Sequence, residues 1–421
     1  MRILVIGSGG REHAVCWALK KSEKVKELFC APGNAGIASI AECVPIAVSK
    51  FDELTRFAKE SAIDLVFVGP DDPLADGIVD AFEAAGIPAF GPDKKAAEIE
   101  GSKIFMKNLL KKYNIPTAKY ETFTDYETAL AYLHQQQAPI VIKADGLAAG
   151  KGVTVAATLE EAEKALREAM VDKVFGEAGN QIVIEEFLEG QEMSILAFVD
   201  GETVKPMVPA QDHKPVFDGD KGPNTGGMGT YSPLPHIEQS IIDESIANII
   251  IPTAKAMVSE GRPFRGVLFA GLMITKDGPK TIEFNARMGD PETQVVLPRL
   301  KTDLVDIVLA AMNGSLHELD IEWSNDAAVC VVAASEGYPG SYPKGRVITG
   351  ITEAEAQGAL VFHAGTAMKD GELVTSGGRV LGIVGRGRDI AEARARAYEA
   401  ASVIEFEGKQ NRTDIAAKAL V

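Results

Sequence analysis

The run Ile282-Glu283-Phe284-Asn285-Ala286-Arg287-Met288-Gly289-Asp290-Pro291-Glu292-Thr293 decides how this chain is read. Side chains alternate across a strand, so Glu283 and Asn285 share one face and Ile282 and Phe284 the other. A strand ending in Glu-x-Asn-x-Arg offers oxygen ligands for Mg²⁺ and, two residues on, a guanidinium. Phosphoryl transfer from a nucleotide requires both. A half-buried strand with its polar side in solvent is the plainer reading of the same residues. The next ones tip the balance: Gly289-Asp290-Pro291-Glu292-Thr293 is a turn opening a helix, with two more carboxylates beside the proposed metal pair.

Composition sets wide bounds. A chain of 421 residues, 46% hydrophobic and with 41 glycines, fits an α/β enzyme of two to four domains. There is no run of ~18 apolar residues to span a membrane. A strand begins at Arg2-Ile3-Leu4-Val5-Ile6, which leaves no room for a signal peptide. Cys16, Cys30, Cys43 and Cys330 form neither a C-x-x-C pair nor a disulfide framework, so the expected compartment is the cytoplasm. A formal net charge of −17 argues against nucleic acid and anionic membranes as general partners. Any anionic ligand needs local clusters of Lys, Arg and backbone N–H groups.

The first hundred residues alternate strands (Ile3–Ile6, Leu28–Ala31, Leu65–Val68, Ala89–Phe90) with helices near Glu12–Lys21, Phe51–Ser61, Leu74–Ala85 and Lys94–Glu100. That pattern predicts a doubly wound parallel sheet. From Ser102 a helix runs to Tyr113. Strands at Ala118–Phe123, Pro139–Lys143, Gly152–Ala156 and Gln181–Phe187 follow, with helices at Asp125–Gln137 and Leu159–Met170. Met193–Val208 reads as an antiparallel pair, Gln211–Pro235 as a loop and Glu238–Ser259 as a helix. Gly266–Ile274 and Lys280–Asn285 form a hairpin turning at Lys276-Asp277-Gly278. Strands at Ala327–Ala334, Val361–Ala367 and Val380–Gly385 make a β-rich tail.

Four further motifs carry chemistry. Gly7-Ser8-Gly9-Gly10 lies between a strand and a helix, where backbone N–H groups hold phosphate. A dinucleotide fingerprint would need glycine at Glu12 and an acid where Asn34 ends the second βα turn, so a dehydrogenase is disfavoured. Arg11, Glu12 and His13 suggest a sugar-phosphate site instead. Asp145-Gly146-Leu147-Ala148-Ala149-Gly150-Lys151-Gly152 is no P-loop: its first glycine precedes Gly150 by four positions, and Gly152 stands where Ser or Thr is needed. After the strand closing at Lys143, it reads as a glycine flap over a triphosphate. Glu185-Glu186-Phe187-Leu188 and Glu192 could meet a base through backbone and a ribose through a carboxylate. Gln211-Asp212-His213-Lys214 ends a strand ahead of the glycine-rich Gly222–Gly229, and neither has zinc-ligand spacing.

In this order the motifs resemble the glycinamide ribonucleotide synthetase family of the ATP-grasp superfamily, along the whole chain from Gly7–His13 to Gly377-Gly378-Arg379-Val380-Leu381. The resemblance implies an N-terminal α/β domain (1–101), an ATP-grasp region (102–325) with a mobile lid near 123–190, and a β-rich C-terminal domain (326–421). It implies ligation of glycine to 5-phosphoribosylamine at the expense of ATP, through glycyl phosphate, in purine synthesis. Lys103, Lys143, Gly150, Lys151 and Gly152 would hold the phosphates. Glu185, Glu186, Phe187 and Leu188 would hold adenine, and Glu192 the ribose. Glu283 and Asn285 would bind Mg²⁺ or Mn²⁺, and Arg287, with Lys143 and Asp212, would serve catalysis. Glycine would sit near Asp212, Lys214 and Asn224, Thr225, Gly226, Gly227 and Met228. Phosphoribosylamine would meet Gly9, Gly10, Arg11, Glu12, His13, Asn34, Asp71 and the turn Asp290, Pro291, Glu292, Thr293. A monomer is expected, with a weak dimer as the alternative.

One position departs from the superfamily pattern. A second carboxylate often stands about thirteen residues before the glutamate; here that residue is Ala270, and no acid lies between Gly266 and Ile274. Either phosphates complete the metal shell or one ion binds only in the ternary complex. The competing readings are an ATP-grasp ligase for another acid or amine, and a non-catalytic nucleotide-binding regulator.

Overall fold

Strand β1 (Arg2–Gly7) is apolar from Ile3 to Ile6 and these side chains are fully buried, as in a strand covered on both faces. Around it lie β2 (Glu27–Pro32), β3 (Glu42–Cys43), β4 (Leu65–Val68) and β5 (Ala89–Phe90), all parallel, in the order β3-β2-β1-β4-β5. Chain direction across the sheet reverses between β1 and β4. The loops leaving their carboxyl ends, Gly7–Gly10 and Gly69–Asp71, therefore flank the crevice where such sheets take ligands. The computed structural model describes residues 1–147 and 152–420; among these, no helix is long and apolar enough to cross a membrane.

Helices α1 (Gly10–Lys20), α2 (Phe51–Glu60), α3 (Asp71–Asp76), α4 (Ile78–Ala84) and α5 (Lys94–Gly101) accompany this sheet. The single helix expected over Leu74–Ala85 is two, because Gly77 takes φ +95° and ends α3. Ser102 then caps α6 (Lys103–Lys112), its Oγ accepting the Phe105 N–H at 3.0 Å.

The region expected to form a lid is a four-stranded antiparallel sheet of β6 (Tyr120–Phe123), β7 (Ile140–Ala144), β8 (Val153–Ala156) and β9 (Ile182–Glu186), ordered β6-β9-β7-β8. Helices α7 (Tyr126–Leu133) and α8 (Leu159–Met170) cover one face and give it a core of its own, with Leu133, Ile142, Leu166 and Ile184 at the centre.

A second antiparallel sheet contains β10 (Gln191–Asp200) and β11 (Thr203–Pro206). The stretch expected to be a loop instead holds short strands, β12 (Gln211–Asp212), β13 (Pro215–Phe217), β14 (Lys221–Asn224) and β15 (Gly229–Ser232); glycines at positive φ, such as Gly219 and Gly227, turn the chain between them. Gln239–Ser259 is continuously helical with one widened turn at Ile246–Ile250. Strands β16 (Arg265–Thr275) and β17 (Gly278–Asn285) complete the order β11-β10-β16-β17.

The tail contributes β18 (Ala327–Ala334), β19 (Leu360–His363), β20 (Thr366–Lys369), β21 (Glu372–Thr375) and β22 (Arg379–Gly387). The expected Val361–Ala367 strand breaks into β19 and β20 at Gly365, which packs so tightly that a Cβ would lie 2.4 Å from the Gly377 Cα. The tail sheet, ordered β12-β15-β18-β22-β19, borrows two strands from the middle of the chain. One apolar core runs from Leu4 through Ile195 and Phe284 to Val329, joining these units.

Candidate active site

A cavity of about 540 Å³ opens where the lid, the β10–β16–β17 sheet and the carboxyl-end loops of the N-terminal sheet meet. Strand alternation builds its lid-side wall. On β7, Ile140, Ile142 and Ala144 enter the lid core while Val141 and Lys143 line the cavity; on β9, Ile182 and Ile184 go inward and Glu185 faces the cavity.

Lys143 is 2% exposed, donates to the Ile282 carbonyl at 3.1 Å and pairs with Glu185 Oε1. Glu185 Oε2 meets Lys107 Nζ of α6 at 2.5 Å, and Lys107 is fully buried. Burial alone would raise the Glu185 pKa, but the two ammonium groups prevail and hold it below the ordinary carboxylate value. Two lysines on one carboxylate leave a net positive charge at the cavity wall. Lys103 donates to the Gly146 carbonyl at 2.8 Å; burial lowers its pKa, Glu283 opposes this and Lys143 adds to it. Gly152 lines the same side, whereas Gly150 and Lys151 lie outside the described residues.

Glu186, Phe187, Leu188 and Glu192 continue the wall. Glu186 accepts the Lys119 N–H at 3.0 Å, so its side chain serves the strand junction. Leu188 and Phe187, with Met106 and Ile282, supply apolar surface of the kind a flat base requires.

Strand β17 turns Glu283 and Asn285 to the cavity and buries Phe284 behind them. The register pairs Glu283 with Gly271 and Phe284 with Ala270. Ala270 therefore faces the core, and the position that adjoins Glu283 is Gly271, one residue later than the sequence offset implied. Neither carries an acid, and a Cβ at Gly271 would already lie 3.3 Å from Glu283 Cγ. Among the described residues no three His, Cys, Asp or Glu side chains gather as a cation cage. One carboxylate and one amide oxygen suit a small hard cation that keeps its waters and binds substrate phosphates.

Strand geometry stops at Asn285, yet Arg287 reaches back to the cavity. Its Nη2 lies 2.9 Å from Asn285 Oδ1 and 3.0 Å from Glu100 Oε1.

The opposite wall gathers Arg11, Asp71, Asp212, Lys214, Asn224, Thr225, Gly226, Asp290 and Glu292. Lys214 Nζ is 2.6 Å from Asp212; burial works against its charge, but Asp212 and Glu292 raise its pKa overall. Glu292 accepts the Ser194 hydroxyl at 3.2 Å, and burial raises its pKa despite Lys214. Asp290 pairs with Arg379 at 3.1 Å, and Arg379 with Arg11 outweighs burial to keep it below its ordinary value. Arg11 pairs with Glu12 and donates to the Met288 carbonyl at 3.2 Å.

Several expected ligand-binding residues have their side chains engaged elsewhere. Glu12 packs between Gly7, Gly9 and Gly69 and accepts the Gly9 N–H at 2.6 Å, so it braces both loops of the crevice. Gly10 abuts Gln294, where a Cβ would lie 2.7 Å from its Nε2. His13 accepts the His363 N–H at 2.8 Å and packs edge-on to Phe362; burial drives its pKa down to about 3. Asn34 donates to Ser8 and His363 carbonyls, both at 2.8 Å, and accepts from Gly36 and Ile37. Met228 is fully buried with Val216 and Ala334, and Pro291 abuts Gly227. Thr293 bonds the Gly289 carbonyl through its hydroxyl.

Glu100, Lys107 and Ser194 escaped the sequence reading, and Arg379 entered it with no role at the site. Lys107 looks like one more solvated helix lysine until folding sets it against Glu185. Arg379 donates to the Gly226 and Asp290 carbonyls at 2.7 and 2.8 Å, tying two substrate-side loops to the tail.

Family models for the N domain, the ATP-grasp (A) domain and the C domain of phosphoribosylglycinamide synthetase match residues 1–100, 101–293 and 328–418. A phosphoribosylamine–glycine ligase of Halalkalibacterium halodurans is 54% identical over 420 residues, covering 100% of this chain and 97% of that one. Another, from Vibrio vulnificus, is 52% identical over 423 residues, covering 100% and 99%. The crystal structure of the phosphoribosylamine–glycine ligase of Thermotoga maritima matches the fold with a TM-score of 0.87 at 37% identity, covering 99% of this chain and 100% of that one. The chain belongs to the phosphoribosylglycinamide synthetase family of ATP-grasp ligases, enzymes that use ATP with a divalent metal ion.

Proposed function

We propose that the chain joins glycine to 5-phosphoribosylamine, forming glycinamide ribonucleotide, ADP and phosphate. A carboxylate oxygen of glycine attacks the γ-phosphorus of ATP and ADP leaves. The amine nitrogen then attacks the carbonyl carbon of glycyl phosphate, expelling phosphate. The observation that carries this reading is the single cavity bringing Lys103, Lys143, Glu283, Asn285 and Arg287 within reach of one ligand. None is placed as a nucleophile, so catalysis rests on positioning and charge neutralisation.

Lys103 and Lys143 hold the phosphates, with Gly152 at the edge of the flap. The backbone of Glu186–Leu188 takes the base and Glu192 the ribose, while Glu185 sets the Lys143 ammonium in place. Glu283 and Asn285 hold the metal, Mg²⁺ or Mn²⁺, which when bound neutralises phosphate charge. Arg287 stabilises the transferring group. Asp212, Lys214 and Asn224–Gly226 face glycine; Arg11, Asp71 and Asp290 face phosphoribosylamine. The domains are 1–101, 102–325 and 326–421, and the protein acts as a cytoplasmic monomer.

The test is ADP release with Mg-ATP, glycine and freshly made phosphoribosylamine, dropping each component in turn. Full turnover only with all three supports the reading; equal turnover with another small amino acid replacing glycine overturns it.

A further inference from the structure

Arg287 matters only if its guanidinium stands at a fixed place, and the one close local contact it makes is with Asn285 at the strand end. The residue follows the end of β17, where Nη2 donates to Asn285 Oδ1 at 2.9 Å and Nη1 lies 3.4 Å from the Met288 carbonyl. Its Nε is buried without a hydrogen-bond partner among the described residues. The other hold is Glu100, near the end of α5 and far away in sequence. Glu100 Oε1 takes Arg287 Nη2 at 3.0 Å, and Oε2 accepts the Ala286 N–H at 2.7 Å. One carboxylate thus grips the side chain of one residue and the backbone of the residue before it. Two such bonds define where the chain leaves the metal-binding strand and where the guanidinium points.

The carboxylate is held there at a cost. It is 7% exposed, and burial pushes its pKa up to about 7, with Arg287 opposing and Asp71 adding to the rise. Replacing such a pair with apolar side chains is often neutral or stabilising, so stability alone does not account for it. Glu100 also stands three residues before Lys103, so the same turn links the phosphate lysine to the end of β17.

We propose that Glu100 is a positioning residue for the transfer step, acting through Arg287 by clasping its guanidinium and the Ala286 N–H together. This rests on the ligase reading given above. It places a requirement for turnover on a side chain that holds neither ATP nor the metal.

The experiment compares wild type, Glu100→Gln, Arg287→Lys and the double variant, measuring kcat, the KM of each substrate and the melting temperature. Wild-type turnover with glycine and phosphoribosylamine checks the ligase reading separately, before any variant is compared. Glu100→Gln should lower kcat roughly tenfold to a hundredfold, the scale of misplacing one transition-state donor, with KM values within about threefold. In the Arg287→Lys background the same change should cost less than about twofold, because the group it positions is gone. Glu100→Asp, which keeps the charge but shortens the reach, should lose kcat with a near-normal melting temperature. Multiplicative losses in the double variant would overturn the proposal. So would normal kcat in a Glu100→Asp enzyme, or a lower melting temperature with unchanged turnover in Glu100→Gln.

Discussion

Glu185→Gln is the sharpest perturbation of the cavity wall, because it removes the carboxylate shared by Lys107 and Lys143. The amide keeps the shape and leaves two buried ammonium groups side by side. Breaking a buried pair from one side costs about 3–5 kcal/mol. An independent ceiling comes from the escape route: deprotonating a lysine of ordinary pKa 10.4 at pH 7 costs about 1.36 × 3.4, or roughly 4.6 kcal/mol. The two figures agree, so a local loss near 4 kcal/mol is expected, about a thousandfold in the opening equilibrium. By the same route the ceiling falls to roughly 2 kcal/mol at pH 9. Amide hydrogen exchange in Ile140–Ala144 and Ile182–Glu186 reads this locally, which a global melt of a multidomain chain does not. Lys107→Met combined with Glu185→Gln should recover most of the loss, since one ammonium leaves with the carboxylate. A loss below about 1 kcal/mol that does not change between pH 7 and 9 would refute the charged triad.

Glu283→Gln should weaken the metal site by removing its one negative ligand, lowering turnover far more than stability; unchanged turnover at saturating Mg²⁺ would remove Glu283 from that site. His13 and His363 are held neutral, with pKa values pushed down to about 3 and about 4 by burial. Below pH 6.5 the unfolded chain binds protons that the folded chain refuses, so stability drains away as pH falls, by roughly 2 kcal/mol per histidine at pH 5. His13→Asn, whose Oδ1 can still accept the His363 N–H, should flatten that acid limb in urea titrations; parallel curves for variant and wild type would disprove it.

The local patterns were legible because each is written in neighbouring residues. Continuous apolar runs gave the parallel sheet, and Glu-x-Asn spacing put Glu283 and Asn285 on one face of β17, although Ile282, expected opposite them, also lines the cavity. The hairpin register was harder: the pairing of Gly271 with Glu283 depends on a bulge between Gly271 and Leu272 that composition does not announce. Long-range partners were invisible. Glu100 reads as a helix-end acid and Lys107 as a solvated lysine until the chain folds. His13 and Asn34 stand beside a phosphate-type loop in sequence, but each hydrogen-bonds the backbone of His363, which only tertiary structure brings there.

The most direct test follows oxygen. If glycine is activated as an acyl phosphate, its carboxylate oxygen becomes the bridging atom and departs with phosphate. With glycine labelled by ¹⁸O in both carboxylate positions, mass spectrometry of the released phosphate should show one ¹⁸O per molecule formed, matched by ADP. Unlabelled phosphate accompanying full production of glycinamide ribonucleotide would contradict carboxylate phosphorylation, and with it the account of what Lys143, Glu283 and Arg287 are gathered to do.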